Sequence, residues 1–240
     1  MRYELYYHAA NQGRGEFIRL PLEDAGADYV DVARETGPGM GAEAMMRFVK
    51  DAGVEHPPFA PPFLKAGKLV IAQTAMILHF LGPRLGLVPR SEADRLWAHQ
   101  LQLTITDLVL EIHNTHHPIS SALYFKEQRP EAKHYTEQFW RHRVPKRLGY
   151  FERVLESIGG PFIFGRKLSY VDLSLFQIVE GLRYAFPRRM RRFEKQVPNL
   201  IALHDRVARR PRVAAYLASD RRIPFNEWGI FRTYKELDAG

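Results

Sequence analysis

The chain has 240 residues, 45% of them hydrophobic and 26% charged, a composition that supports packed domains and excludes disordered or fibrous classes. It contains no cysteine, which rules out disulfides, a protein thiolate nucleophile and cysteine-ligated metals, so any thiol chemistry must use a thiol that arrives with a ligand. The net charge of +8 is uneven: residues 1–88 hold 9 Lys/Arg and 10 Asp/Glu, a net of -1, whereas residues 89–240 hold 26 and 17, a net of +9.

Tyr3, Leu5 and Tyr7 alternate with Arg2, Glu4 and Tyr6, which predicts a first strand rather than a signal peptide, closed by a polar loop containing Asn11, Gln12 and Gly13. Phe17, Ile18, Leu20, Leu22 and Ala25 recur at helical spacing, and Gly26 stands where a left-handed cap belongs. Residues 29–32 read as a second short strand. Gly37, Gly39 and Gly41 then form a glycine-rich stretch that lacks both the phosphate-loop lysine and a dinucleotide fingerprint; it reads as a connector into a short helix at 42–50. Pro61-Pro62 leads into Phe63-Leu64, a turn and Leu69-Val70-Ile71, a hairpin whose entry X-Pro bond is open to either isomer. Ala75, Ile77, Leu78 and Leu81 mark a helix that should fade near Gly82-Pro83. The order is β-α-β-α-β-β-α, an α/β domain over residues 1–85.

Residues 86–91, with Pro89, form the expected linker to an all-α domain at 92–222. Long helical stretches at 92–123, 131–158, 171–185 and 199–209 fill it, with no convincing strand and no apolar run near the roughly 18–20 residues that cross a bilayer. A soluble, cytoplasmic protein with no membrane partner is expected. Ser169-Tyr170-Val171-Asp172 reads as a capping box; a serine nucleophile would need a base and an orienting acid that the spacing does not supply. Arg183, Arg188, Arg189, Arg191 and Arg192 are broken up by Tyr184, Phe186 and Pro187, which favours a solvated helix end and loop over a nucleic-acid surface. His113, His116 and His117 share a predicted helix face, but no HExxH and no carboxylate at a matching offset accompanies them, so no metal is expected. An extension at 223–240 is aromatic, with Phe225, Trp228, Phe231 and Tyr234; it either folds over a pocket or packs against the helices.

Four short motifs occur in one order: Tyr7 followed by Gly13-Arg14-Gly15-Glu16-Phe17-Ile18-Arg19-Leu20; Pro62-Phe63-Leu64; Gln73-Thr74; and Phe162-Ile163-Phe164-Gly165 before Ser169-x-x-Asp172. On these the chain resembles the cytosolic glutathione transferases, over almost its whole length to about Leu217 and most closely their tyrosine-using branch, with the sigma, pi, alpha and mu classes. The resemblance implies a thioredoxin-like first domain that binds glutathione and a helical second domain that supplies the pocket for a small apolar electrophile.

It also implies roles for particular residues. Tyr7 matches the catalytic tyrosine, whose phenol would donate a hydrogen bond to the glutathione sulfur and favour its anion; lowering a thiol pKa from about 8.5 by two units takes roughly 2.7 kcal/mol. Tyr6 is the alternative if the strand faces the other way. Phe63 after Pro62 matches the residue whose backbone pairs with the cysteinyl part of glutathione, as in strand addition. Gln73 and Thr74 match the holders of the γ-glutamyl carboxylate at a helix N-terminus, and Asp107 an acid that reaches across a homodimer interface to the γ-glutamyl amine. Arg14 matches an arginine at the mouth of the site and Lys50 the lysine of the glycyl carboxylate, although Met46 replaces the usual companion tryptophan and Ala60 a frequent glutamine. Positions beyond Asp107 line the electrophile pocket in the family, which makes His113, His117 and Trp228 candidates here. The implied function is glutathione conjugation, isomerisation or peroxide reduction, with glutathione as co-substrate; the alternatives are a ligand-binding protein of the same fold without turnover and an interaction module using the arginines.

Overall fold

The computed structural model describes residues 1–50 and 53–239. Strands β1 (Tyr3–Tyr6), β2 (Tyr29–Asp31), β3 (Phe63–Ala66) and β4 (Leu69–Ala72) form one sheet in the order β2-β1-β3-β4. β1 runs parallel to β2 and antiparallel to β3, with Tyr6 opposite Phe63, and β3 is antiparallel to β4, with Phe63 opposite Ala72. The parallel pair needs a crossover, which helix α1 (Glu16–Ala25) supplies before its left-handed cap at Gly26. Alternation along the strands sends Leu5 and Leu64 to a cluster with Ile18, Leu22, Ile77 and Leu81, and sends Tyr6 and Phe63 to the other face with Val30, Val32 and Met45. Met45 belongs to helix α2 (Gly41–Lys50), and Ile77 and Leu81 to helix α3 (Thr74–Leu85).

Helix α3 does not fade at Gly82-Pro83. It runs to Leu85, and Gly86 at φ 70° closes it with an N–H bond to Gly82 O. Gly82 has a packing role instead: a Cβ there would lie 2.7 Å from the Tyr170 ring. Pro83 sits in the last turn, where its missing N–H removes a single ladder bond.

The helical region comprises α4 (Glu92–Asn114), α5 (Arg129–Gln138), α6 (Val144–Ile158), α7 (Tyr170–Ala185), α8 (Pro187–Phe193), α9 (Pro198–Ala208) and α10 (Pro211–Leu217). α8 and α10 lie where no helix is expected from the sequence, each started by a proline at its first position, where an N–H has no helical partner anyway. α4 stops well short of residue 123: the Thr115 hydroxyl donates to Ile112 O at 2.7 Å, and Pro118 follows closely. Between α5 and α6 a five-residue π-turn, Phe139–Arg143, turns Phe139 and Trp140 into the core.

α7 is the axis of the molecule, apolar on nearly every side and packed against α1, α4 and α9. Its start is the expected capping box. Asp172 accepts from Ser169 N–H at 2.7 Å, Ser169 Oγ at 2.6 Å and Ile163 N–H at 2.8 Å. Complete burial pushes this carboxyl up to about 6, while a neighbourhood of donors keeps it ionised at neutral pH.

A buried polar chain ties the sheet to the helices. Arg19 donates to Asp31 at 2.6 Å and to Gln12 O at 3.2 Å; Tyr216 donates to Glu16 at 2.7 Å; Arg222 bonds Glu16 and Gln177; and Gln177 reaches Gln12 Oε1 at 2.8 Å. Gln12 in turn bonds Ile223 O, which fixes the start of the aromatic extension. That extension stacks Phe225 on Tyr184 and Tyr234 on Phe125, and Asp238 accepts the first N–H groups of α8 from Arg188 and Arg189. Arg189 also bonds Leu237 O, Ala239 O and Glu137, and Arg183 bonds Glu194, so two of the five clustered arginines are consumed in holding structure. Gly240, the last residue of the expected extension, lies outside the described residues.

Candidate active site around Tyr7

The turn after β1 is built around one side chain. Arg14 N–H donates to the Tyr7 hydroxyl oxygen at 2.9 Å. A Cβ on Gly13, at φ 43°, would lie 2.0 Å from that oxygen, and one on Gly15 would lie 2.6 Å from the ring. The two glycines are therefore the floor on which the phenol rests. Tyr7 is 6% exposed, and burial raises its pKa above the ordinary value against the smaller opposing effects of the Arg14 N–H and the Arg14 and Arg19 charges. The hydroxyl is thus neutral at physiological pH, its oxygen accepting the Arg14 N–H and its proton donated to no protein atom among the described residues.

Tyr6 has a different environment. Its hydroxyl donates to Glu4 at 2.6 Å, a carboxylate that also pairs with Lys65, and its ring stacks on Phe63 at 4.5 Å. That donor is spent on the opposite sheet face.

At the same end of the sheet, just beyond β4, Gln73 holds φ 67°, unusual for a residue with a side chain, and is solvent exposed. Thr74 opens α3, is 7% exposed, and its hydroxyl has no partner among the described residues. An unpartnered buried hydroxyl at a helix N-terminus is a place prepared for an anionic group. Thr74 shares a narrow cleft with Arg14, Phe17, Gln102, Thr106 and Val109.

Arg14 borders a second space as well. A cavity of about 370 Å³ is lined by Tyr7, His8, Asn11, Arg14, His113, Trp228, Gly229, Ile230 and Arg232. Burial lowers the His113 pKa to about 4 and also depresses His8, so both rings are neutral at pH 7. Trp228 is 70% exposed and forms an apolar wall at the rim. A separate recess of about 590 Å³ beside β2, with Arg2, Glu23, Asp28 and Asp31 among its lining, shares no residue with this cavity.

Tyr7, Arg14, Thr74, His113 and Trp228 thus line two spaces that share Arg14, and other expected residues lie outside both. α4 ends before His117, whose ring turns to Gln128 Nε2 at 3.2 Å, outside the cavity lining. Phe63 lies outside both as well. β3 is flanked by β1 and β4 at that residue, so its backbone lies inside the ladder; the backbone beyond the sheet end is the cis Pro61-Pro62 step, which offers carbonyls and no N–H. Lys50 ends α2, exposed, and lines neither space. Asp107 is on the outside of α4, its side chain 66% exposed, with Arg147 at 3.5 Å. The histidine cluster is a packing unit: ring centroids lie about 5 Å apart, and His116 Nε2 meets Ile230 O at 2.8 Å. No group of three His, Asp or Glu side chains placed to hold a metal occurs among the described residues. Sequence reasoning missed His8, Asn11 and Arg232. The first two lie in the loop read only as polar, and the third had no local signal.

A fold of this kind, a thioredoxin-like sheet domain continued by a helical bundle, defines a class that the comparisons make specific. The sequence family described as "Glutathione S-transferase, C-terminal domain" matches residues 113–220. The glutathione S-transferase of Plasmodium falciparum is 24% identical over 222 residues, covering 90% of this chain and 94% of that one, and glutathione S-transferase P 1 of Xenopus laevis is 25% identical, covering 88% and 90%. The solved Pi-class glutathione S-transferase of Onchocerca volvulus superposes with a TM-score of 0.68 at 21% identity, covering 90% of this chain and 92% of that one. Over nearly its whole length the chain is thus similar to cytosolic glutathione transferases, and the family match covers residues 113–220.

Proposed function

We propose that the protein is a glutathione transferase of the tyrosine type, in which Tyr7 turns the thiol of bound glutathione into a reactive thiolate. The observation that carries this reading is the Tyr7 hydroxyl: buried and neutral, its oxygen accepts the Arg14 N–H, its proton is donated to no protein atom among the described residues, and it lines a cavity. A donor polarised by an accepted N–H and sheltered from water stabilises a sulfur anion far better than a solvated phenol does. The thiolate would then attack an electrophilic centre in the cavity; isomerisation or peroxide reduction by the same thiolate are variants of that step.

Residues 1–85 act in this proposal as the glutathione-binding domain and 92–222 as the pocket domain, joined at 86–91 and overlaid by the extension from 223. Glutathione fits the side chains present. The orphaned Thr74 hydroxyl and the start of α3 suit its γ-glutamyl carboxylate, with Gln73 beside them and Arg14 between the two spaces. Lys50 is proposed for the glycyl carboxylate. Asp107 completes the site only from a second copy, which supports a homodimer. Leu96, Leu103 and Leu110, 58%, 48% and 52% exposed, repeat every seven residues along α4 on the face that carries Asp107. A cytoplasmic location agrees with this chemistry and with helices that are nowhere long and apolar enough to cross a membrane among the described residues.

The test is a titration of the purified protein with glutathione, followed by thiolate absorbance near neutral pH, together with turnover of a chloronitrobenzene electrophile. Tyr7→Phe is expected to abolish the thiolate signal and lower turnover about 10- to 100-fold, the worth of one hydrogen bond to a charged group, while glutathione affinity changes little. Equal turnover in parent and variant removes Tyr7 from the mechanism. Glutathione binding without any turnover assigns the protein as a binder of the same fold.

A further inference from the structure

Resting on the transferase reading, we infer that the electrophile is an anion, a flat carboxylate-bearing molecule whose charge is held by Arg232 while its reactive carbon faces Tyr7. The cavity carries two arginines and no Asp or Glu among its lining residues. Neither Arg14 nor Arg232 has a carboxylate partner among the described residues, a state shared among the half-buried arginines elsewhere by Arg34 and Arg95, whereas Arg19, Arg143, Arg147, Arg183, Arg189, Arg210 and Arg222 each pair with one. A half-buried cavity of one sign concentrates counter-ions of the other.

Arg232 is held in position without being neutralised. Its Nε donates to Gly229 O at 2.8 Å and its Nη2 to Trp228 O at 3.4 Å, so the turn of the extension orients the guanidinium while Nη1 donates to no protein atom among the described residues. A planar fork with a free edge suits a carboxylate. Trp228, exposed beside it, offers a face for a flat ring. The histidines do not offset this preference, since His8 and His113 contribute no charge at neutral pH. Arg14 lies between this cavity and the Thr74 cleft and serves the glutathione side as well, which leaves Arg232 as the residue that distinguishes one electrophile from another.

The reaction used to test this is chloride displacement: the glutathione sulfur bonds the ring carbon, the carbon–chlorine bond breaks with its electron pair leaving on chloride, and the thiol proton goes to solvent. The probes are 4-chloro-3-nitrobenzoate and its uncharged counterpart 4-chloro-3-nitrobenzamide, each kcat/KM divided by the uncatalysed rate with glutathione. The parent is expected to favour the benzoate about tenfold or more, as a charge-assisted pair in a half-buried site allows, with the difference in KM for the benzoate and a decline as NaCl screens it. Arg232→Gln should bring the ratio close to one without raising KM for glutathione, and Arg232→Lys should keep part of it. A parent ratio near one, a ratio unmoved by Arg232→Gln, or a loss seen only in KM for glutathione overturns the proposal. If Arg232→Gln does not fold, the salt dependence of the parent ratio decides: a ratio that falls with NaCl supports the proposal and an insensitive one overturns it. If neither probe is turned over, the transferase reading fails, and quenching of Trp228 fluorescence by 3-nitrobenzoate against 3-nitrobenzamide decides separately. Preference for the benzoate that disappears in Arg232→Gln upholds the anion site, and equal quenching overturns it.

Discussion

Tyr6 and Tyr7 are neighbours in sequence with the same hydroxyl, and the pleat of β1 gives them opposite roles. Tyr6 donates to Glu4 and stacks on Phe63, while Tyr7 leaves the strand end and rests on Gly13 and Gly15. In the sequence, resemblance to the family's catalytic strand singled out Tyr7 and left Tyr6 as the alternative if the strand faced the other way. What the sequence could not supply was the reason for Gly13-Arg14-Gly15. Two absent side chains make room for a ring, and one backbone N–H sets the hydroxyl. Gly15 has an ordinary helical backbone, so a substitution there tests the contact alone. Gly15→Ala is expected to destabilise the protein by about 1–3 kcal/mol, as forced overpacking does, and to lower turnover by displacing the phenol. Denaturant unfolding and the conjugation assay read the two effects; a variant as active as the parent would show that the ring does not need this floor.

Helices and strands were legible where their apolar periodicity was strong and least legible at their ends. α4 was expected to run on past His117, because the apolar spacing continues beyond its true end; the Thr115 hydroxyl and Pro118 stop it, and this separates His117 from the helix face that His113 occupies. The end of α4 is expected to respond to pH as a result. His113, His116 and His117 are all depressed below the ordinary histidine pKa, chiefly by burial, and His116 holds Ile230 of the extension. A group whose folded pKa lies below its unfolded value of about 6.5 contributes stability that is complete above that pH and lost as pH falls through the folded value. The stability difference between the parent and His116→Gln is therefore expected to shrink on acidification from pH 7 to pH 4, measured by urea unfolding at each pH. Asp172, raised to about 6, acts with the opposite sign in the same range but is common to both proteins and cancels in the difference. A difference that stays constant with pH would mean that His116 is not the titrating group.

At the scale of the molecule, α7 carries the sheet, the bundle and the extension on one buried axis, and α4 turns an apolar stripe outward. The proposed homodimer would cover that stripe. Leu103→Glu is expected to convert the dimer to monomer in sedimentation at micromolar concentration, since a charge in an apolar contact must be stripped of water, and to weaken glutathione binding because Asp107 loses its reach into the neighbouring site. A parent that sediments as a monomer would remove both the dimer and that role for Asp107.

The amino-acid sequence by itself determined the α/β order followed by helices, the capping box at Ser169 and Asp172, and the motifs around Tyr7 and Thr74, all of them set by residues within a turn or two of each other. Only the tertiary structure decided that Phe63 is enclosed in the sheet, that the arginines of α8 pin the chain end, and that His8, Asn11 and Arg232 meet around Tyr7. The physical reason is range: periodicity and capping act along a few residues of chain, whereas a cavity is lined by groups that only packing brings together.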